Sequence, residues 1–148
     1  MHASKANKLV LILLRISVGW FFLYEGIISI LDSQWTLLPF IKDARTFPEF
    51  YSYISQPELL PYLSFIAKGL FILIGALLIA GFFVRLGAFL GILLMLFFYF
   101  PLLSFPYVHP SHYIVDYHFV MIMVLLHLFV ARAGEVFGLG SMFHFSRY

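Results

Sequence analysis

Four long apolar runs fill most of this 148-residue chain, and the few ionisable residues inside them sit at particular depths. The runs, Lys8–Leu31, Tyr62–Phe83, Leu86–Pro101 (Leu86–Phe105 at its longest) and Ile114–Arg132, approach the roughly 20 residues a helix needs to cross about 30 Å of hydrocarbon. Only helices and closed barrels satisfy every backbone polar group in that medium. The pattern predicts an all-α polytopic membrane protein, and its function is to be sought among the buried charges.

Composition points the same way: 63% of residues are apolar and 11% charged, against about 25% charged in ordinary soluble domains. A chain of this length predicts one domain, residues 1–148, embedded in the lipid bilayer. Its lipid-solvated surface suits other membrane subunits or a second copy as partners. A net charge of +2 with no basic run sets nucleic acid aside. The absence of cysteine excludes thiolate catalysis, iron–sulfur ligation and Cys-based zinc sites, so redox chemistry would need a borrowed cofactor. The positive start followed by a long apolar run reads as an uncleaved first helix.

The seven prolines lie in the connections following the first and third runs, where lost helical hydrogen bonds are tolerable. The longer connection, residues 32–61, carries Trp35, Phe40, Phe47, Phe50, Tyr51 and Tyr53, which predicts short helical segments lying in the membrane interface. Lys5, Lys8, Arg85, Arg132 and Arg147 mark the other side, so both termini are expected in the cytoplasm of a bacterial or archaeal cell, with the protein in its inner membrane. Short connections then predict an antiparallel up-down-up-down bundle of four transmembrane helices. Close helix contacts are expected at the Gly87/Gly91 pair and at Gly69, Gly75 and Gly81.

Spacing arranges the polar groups. Arg15, Val18, Phe22, Glu25, Ser29 and Asp32 form one stripe of the first helix, Lys68, Ile72, Gly75 and Ile79 one of the second, and Asp116, Val120, Met123 and His127 one of the fourth. Two layers follow. Glu25, Lys68, Asp116, Tyr117 and His118 fall toward the outer side, and Arg15 with His127 toward the cytoplasmic side, where the two are expected to form a separate polar pair. An unpaired charge at mid-bilayer costs about 2.5–3.5 kcal/mol, so the outer group should converge, with Lys68 paired to Glu25 or Asp116. Such a niche suits an amphipathic ligand, a quinone or a lipid-like molecule, with Lys68, His118 or Tyr117 as donors and Glu25 or Asp116 as proton-exchanging carboxylates. The rival reading is a structural or accessory subunit whose buried charges only hold helices together. A third, a small carrier or proton pathway, would need a wet route past the bulky residues between Arg15 and Glu25. His118 and His127 lie about half a turn apart around one helix, which argues against a bis-His haem. His109 and His112 read as a polar turn, so no metal is expected.

The ordered set LLRISVGWFFLYEGIISI, LFILIGALLIAGFFVRLGAFLGILLMLFFYF and ARAGEVFGLGSMF resembles the DoxX family of small four-helix membrane proteins. That family includes the membrane subunit of thiosulfate:quinone oxidoreductase. The positions that match its pattern are Arg15, Gly19, Gly26, Gly75, Gly81, Arg85, Gly134 and Gly138. The family's lysine shortly after the residue matching Gly26 is replaced here by IISILD. The resemblance implies a subunit of, at most, a quinone-linked membrane oxidoreductase complex.

Overall fold

The computed structural model describes residues 5–109, 112–131 and 133, with only the backbone of His109 and His112. Arg132, Gly134, Gly138 and Arg147 lie outside these residues. The described chain is mostly helical: α1 Lys5–Leu31, α2 Leu38–Ile41, α3 Pro48–Ile54, α4 Leu60–Ala80, α5 Val84–Leu102 and α6 Tyr117–Val130, with a two-stranded hairpin of β1 Tyr107–His109 and β2 His112–Tyr113 before α6. Among the described residues, α1, α4 and α5 are long and apolar enough to cross a membrane. The fourth apolar run is a helix of only 14 residues, because residues 112–116 are spent on the hairpin and on the extended Asp116 that caps α6.

Glycines set how closely the helices approach. A Cβ placed on Gly75 would lie 2.5 Å from the Leu23 backbone nitrogen, and one on Gly19 or Gly26 would lie 2.8 or 2.6 Å from the side chains of Ile79 or Ile72. Residue numbers on α1 rise as those on α4 fall, so the pair is antiparallel. Gly87 and Gly91 do the same work against Leu77 of α4 and Leu125 of α6, at 3.1 and 3.0 Å. Gly69 differs from the sequence expectation: a Cβ there would meet nothing. The reversal from α4 to α5 takes three residues, with Gly81 (φ 68°) and Phe83 (φ 48°) in the left-handed region, the first a conformation that glycine adopts without penalty.

Three helix faces explain the core. The buried side of α1 is Arg15, Val18, Gly19, Phe22, Gly26 and Ser29, close to the expected stripe. On α4 it is Ser64, Ala67, Phe71, Ile74, Gly75 and Leu78, rotated from the expected stripe so that Lys68 is only half-buried. The expected stripe of α6 faces the wrong way: His118, Ile122, Leu125 and Leu128 are inside, while Val120, Met123 and His127 are exposed. Apolar residues run all round that helix and a histidine lies on each face, His118 inside and His127 outside, so periodicity could not tell its two faces apart.

The connection of residues 32–59 folds over one end of the bundle, burying Leu37, Ile41, Tyr51 and Ile54. A missing hydrogen explains part of its course. Pro101, inside α5, has no N–H to offer the Phe97 carbonyl four residues earlier, and the Tyr51 hydroxyl donates to that carbonyl at 2.9 Å. Beyond it, the Arg45 N–H donates to the Pro101 carbonyl at 3.1 Å and the Thr46 hydroxyl to the Leu103 carbonyl at 2.6 Å, so the connection closes the C-terminal end of α5. The Leu37 N–H donates to the Ser64 hydroxyl at 3.1 Å, fixing the same connection to α4.

Two measurements check this packing. Gly75→Ala should lower thermal stability in detergent by about 1–3 kcal/mol, because backbone atoms must move to admit the methyl group, whereas Gly69→Ala should leave it unchanged or raise it. Tyr51→Phe should cost about 1–2 kcal/mol through the orphaned Phe97 carbonyl. Burial pushes the Tyr51 phenol up to about 12 from 10.0. A raised folded-state value means the hydroxyl's contribution is whole below about pH 10 and is lost on the way to about pH 12. Melting of the wild type against pH should therefore show an alkaline loss across that interval that is smaller in Tyr51→Phe.

Candidate functional site

At the end of the bundle covered by the 32–59 connection lies a cavity of about 200 Å³. Phe21 and Glu25 of α1, Phe71 of α4, Met95 and Phe98 of α5, and Tyr117 and His118 of α6 form its walls. Trp35 and Phe40, from the connection, complete it. The aromatic rings support one another in a chain, Trp35 against Phe40 (6.1 Å), Phe40 against Phe98 (5.3 Å) and Phe98 against Phe71 (5.8 Å). Such edge and offset contacts hold flat walls in place.

The polar side is built around Asp116. Its Oδ1 accepts the Phe119 N–H at 3.0 Å and so caps α6, while its Oδ2 lies 2.6 Å from Nδ1 of the buried His118. One carboxylate thereby starts the helix and orients the imidazole. With Nδ1–H directed at Asp116, the Nε2 of a neutral ring is left as an acceptor, and that of a protonated ring as a donor. Tyr117 stacks on His118 with ring centres 3.8 Å apart, and Glu25 is half-buried in the opposite wall. The cavity thus presents a carboxylate, a phenol and an oriented imidazole to whatever lies between its aromatic faces.

Of the five residues expected to converge, Glu25, Tyr117 and His118 line the cavity and Asp116 stands directly behind His118. Lys68 does not join them as an ion pair. Among the described residues the ion pairs are Lys42–Asp43 and Asp116–His118, and the Lys68 ammonium lies 5.4 Å from the centre of the Trp35 ring, as a cation–π contact. The rotation of α4 turns Lys68 toward the connection rather than toward α1 or α6. At the far end of the bundle, Arg15 is buried and donates to the Ala133 carbonyl at 3.0 Å, while His127 is exposed in a surface groove beside Leu14. Among the described residues no cluster of three His, Asp or Glu is placed to hold a metal.

Sequence reading missed the contribution of the connection. Trp35 and Phe40 gave no periodic signal, since their position depends on how residues 32–59 fold back. Pro101, expected in the connection after the third run, lies instead inside the last turn of α5, and a helix proline in hydrocarbon demands a donor from elsewhere, here the distant Tyr51.

Apolar helices of membrane-spanning length around a partly polar cavity define a multi-pass helical membrane protein. A family model described as DoxX matches residues 10–103, and the chain belongs to the DoxX family. The match takes in α1, α4, α5 and the connection that roofs the cavity, and stops before α6. Neither the curated proteins nor the solved structures compared with the chain give a match.

The double role of Asp116 is open to test. Asp116→Ala should destabilise the protein by about 0.5–2 kcal/mol through loss of the cap, and Asp116→Asn by markedly less, since asparagine caps about as well. Chemical denaturation in detergent micelles reads both.

Proposed function

We propose that this DoxX protein is a single-domain inner-membrane subunit that binds the head of a quinone in the cavity and serves a membrane oxidoreductase complex. In this reading all four apolar helices cross the bilayer, α6 completed by the extended residues before it, and both termini face the cytoplasm. Lys5, Lys8 and Arg85 at one end of the bundle support that orientation. The cavity then lies in the outer half of the membrane.

The observation that carries the proposal is the Asp116–His118 pair facing an aromatic-walled cavity. A quinone head is flat and neutral with carbonyl oxygens on opposite edges. Flat aromatic walls stack on its faces, and a protonated His118 or the Tyr117 hydroxyl donates to a carbonyl oxygen. Reduction to the quinol takes two electrons and two protons. The electrons come from the partner oxidoreductase, and His118, backed by Asp116, and Glu25 are the groups positioned to pass protons to the two oxygens. The same His118, once neutral, accepts from a quinol hydroxyl, so one residue serves both redox states of the ligand.

Copurification tests this. Protein isolated in mild detergent should retain quinone, measured by extraction and chromatography, and His118→Ala should reduce retention at least about tenfold while the melting temperature shows the variant folded. Retention that is absent from the wild type, with a partner protein present at a fixed ratio, would support the structural-subunit reading instead.

A further inference from the structure

The four long helices do not close on one another equally. The α1–α4 pair is locked by Gly19, Gly26 and Gly75, and Gly91 brings α5 against α6. No such contact joins α1 to α6. Along that seam runs a groove of about 330 Å³, lined by Leu14 of α1 and by residues from Val115 to His127 along α6.

The groove and the cavity draw on the same two helices, α1 and α6, along shared faces. On α6, Tyr117 lines the cavity, and Val120, Val124 and His127 line the groove at steps of three, four and three along the same stripe. On α1, Phe21 and Glu25 line the cavity, and Leu14 lies seven and eleven positions before them on the same face. Ten residues at 1.5 Å each make a track of about 15 Å, polar at the Tyr117 end and apolar down to His127.

We propose that this seam holds the polyprenyl tail of the ligand and is the path by which a quinone reaches the cavity sideways from the bilayer. The inference rests on the quinone-head reading above and adds where the rest of the molecule lies. Chemistry favours this occupant over a phospholipid. Among the described residues, neither the cavity nor the groove is lined by Lys or Arg, the Lys68 ammonium being engaged with the Trp35 ring in the wall. A phosphate would meet the Glu25 carboxylate and, among the described lining residues, no Lys or Arg, whereas a neutral ring with a long apolar chain meets matching surfaces throughout.

The test uses the full chain in lipid nanodiscs with Trp20→Phe as background, so that fluorescence reports Trp35 in the cavity wall. Two probes are titrated: a benzoquinone without a tail, and the same head carrying two isoprene units. Val120→Phe and Val124→Phe fill the groove from positions at the bilayer-facing seam, away from the head. Comparing each variant with its background in the same bilayer cancels partitioning of the tailed probe. The expected result is quenching by both probes in the background protein, with the tailed probe's affinity falling at least about tenfold in the filled variants and the tailless probe's unchanged. Equal loss of both probes, or loss of neither, overturns the tail assignment and leaves the head reading standing. Failure of both probes to quench the background protein overturns the head reading and the tail with it. Phospholipid retained by the background protein and lost from the filled variants, with quinone affinity unaltered, makes the groove an acyl-chain seat and also overturns the proposal.

Discussion

In hydrocarbon a polar group has no water to fall back on, and that constraint organises this molecule. Several breaks in the regular helical ladder are met by a side chain, in some cases from a distant segment. The Phe97 carbonyl, orphaned by Pro101, receives the Tyr51 hydroxyl, and the Ile114 carbonyl receives that of Tyr99. The first turn of α6 is satisfied by Asp116, and the Arg15 guanidinium reaches the backbone just past the end of the same helix. An unsatisfied buried group costs about 1–3 kcal/mol even in a protein interior, so these contacts fix where the connections must run. The connections in turn shape the cavity.

The same accounting explains why the site is asymmetric. Its polar atoms come from α6 and one residue of α1, where the helix start at Asp116 leaves the ladder open, and its apolar walls come from α4, α5 and the roof. An imidazole held by a capping carboxylate is locked in place by the helix it begins. Preorganisation of this kind lets a ring nitrogen meet a ligand without first losing rotational freedom.

Membrane residence, the long helices and the family pattern were legible in the sequence, because twenty-residue apolar runs and ordered glycines are signals that survive without three-dimensional context. The grouping of Glu25, Tyr117 and His118 was legible for a similar reason: depth counted from helix ends places residues in layers. Rotation about each helix axis was harder to read. In α1, polar and small residues marked the inner face, whereas in α6 apolar residues on all sides and a histidine on each face left the two alike, and the stripe through His127 fell on the outside. Lys68 was misplaced because opposite charges suggested a partner, while the ring of Trp35, distant in sequence, supplied one of another kind. Gly69 shows that a glycine in a membrane helix marks a close approach only when a neighbour fills its space.

The bond between Tyr51 and the Phe97 carbonyl makes two remote parts of the gene answer to each other. A lineage can discard the tyrosine only after it has discarded the proline, or else it carries a bare carbonyl through every intermediate. Because Trp35 and Phe40 ride on the same stretch of chain as Tyr51, the cavity inherits that history: its roof is held in register by a defect in a helix it does not belong to.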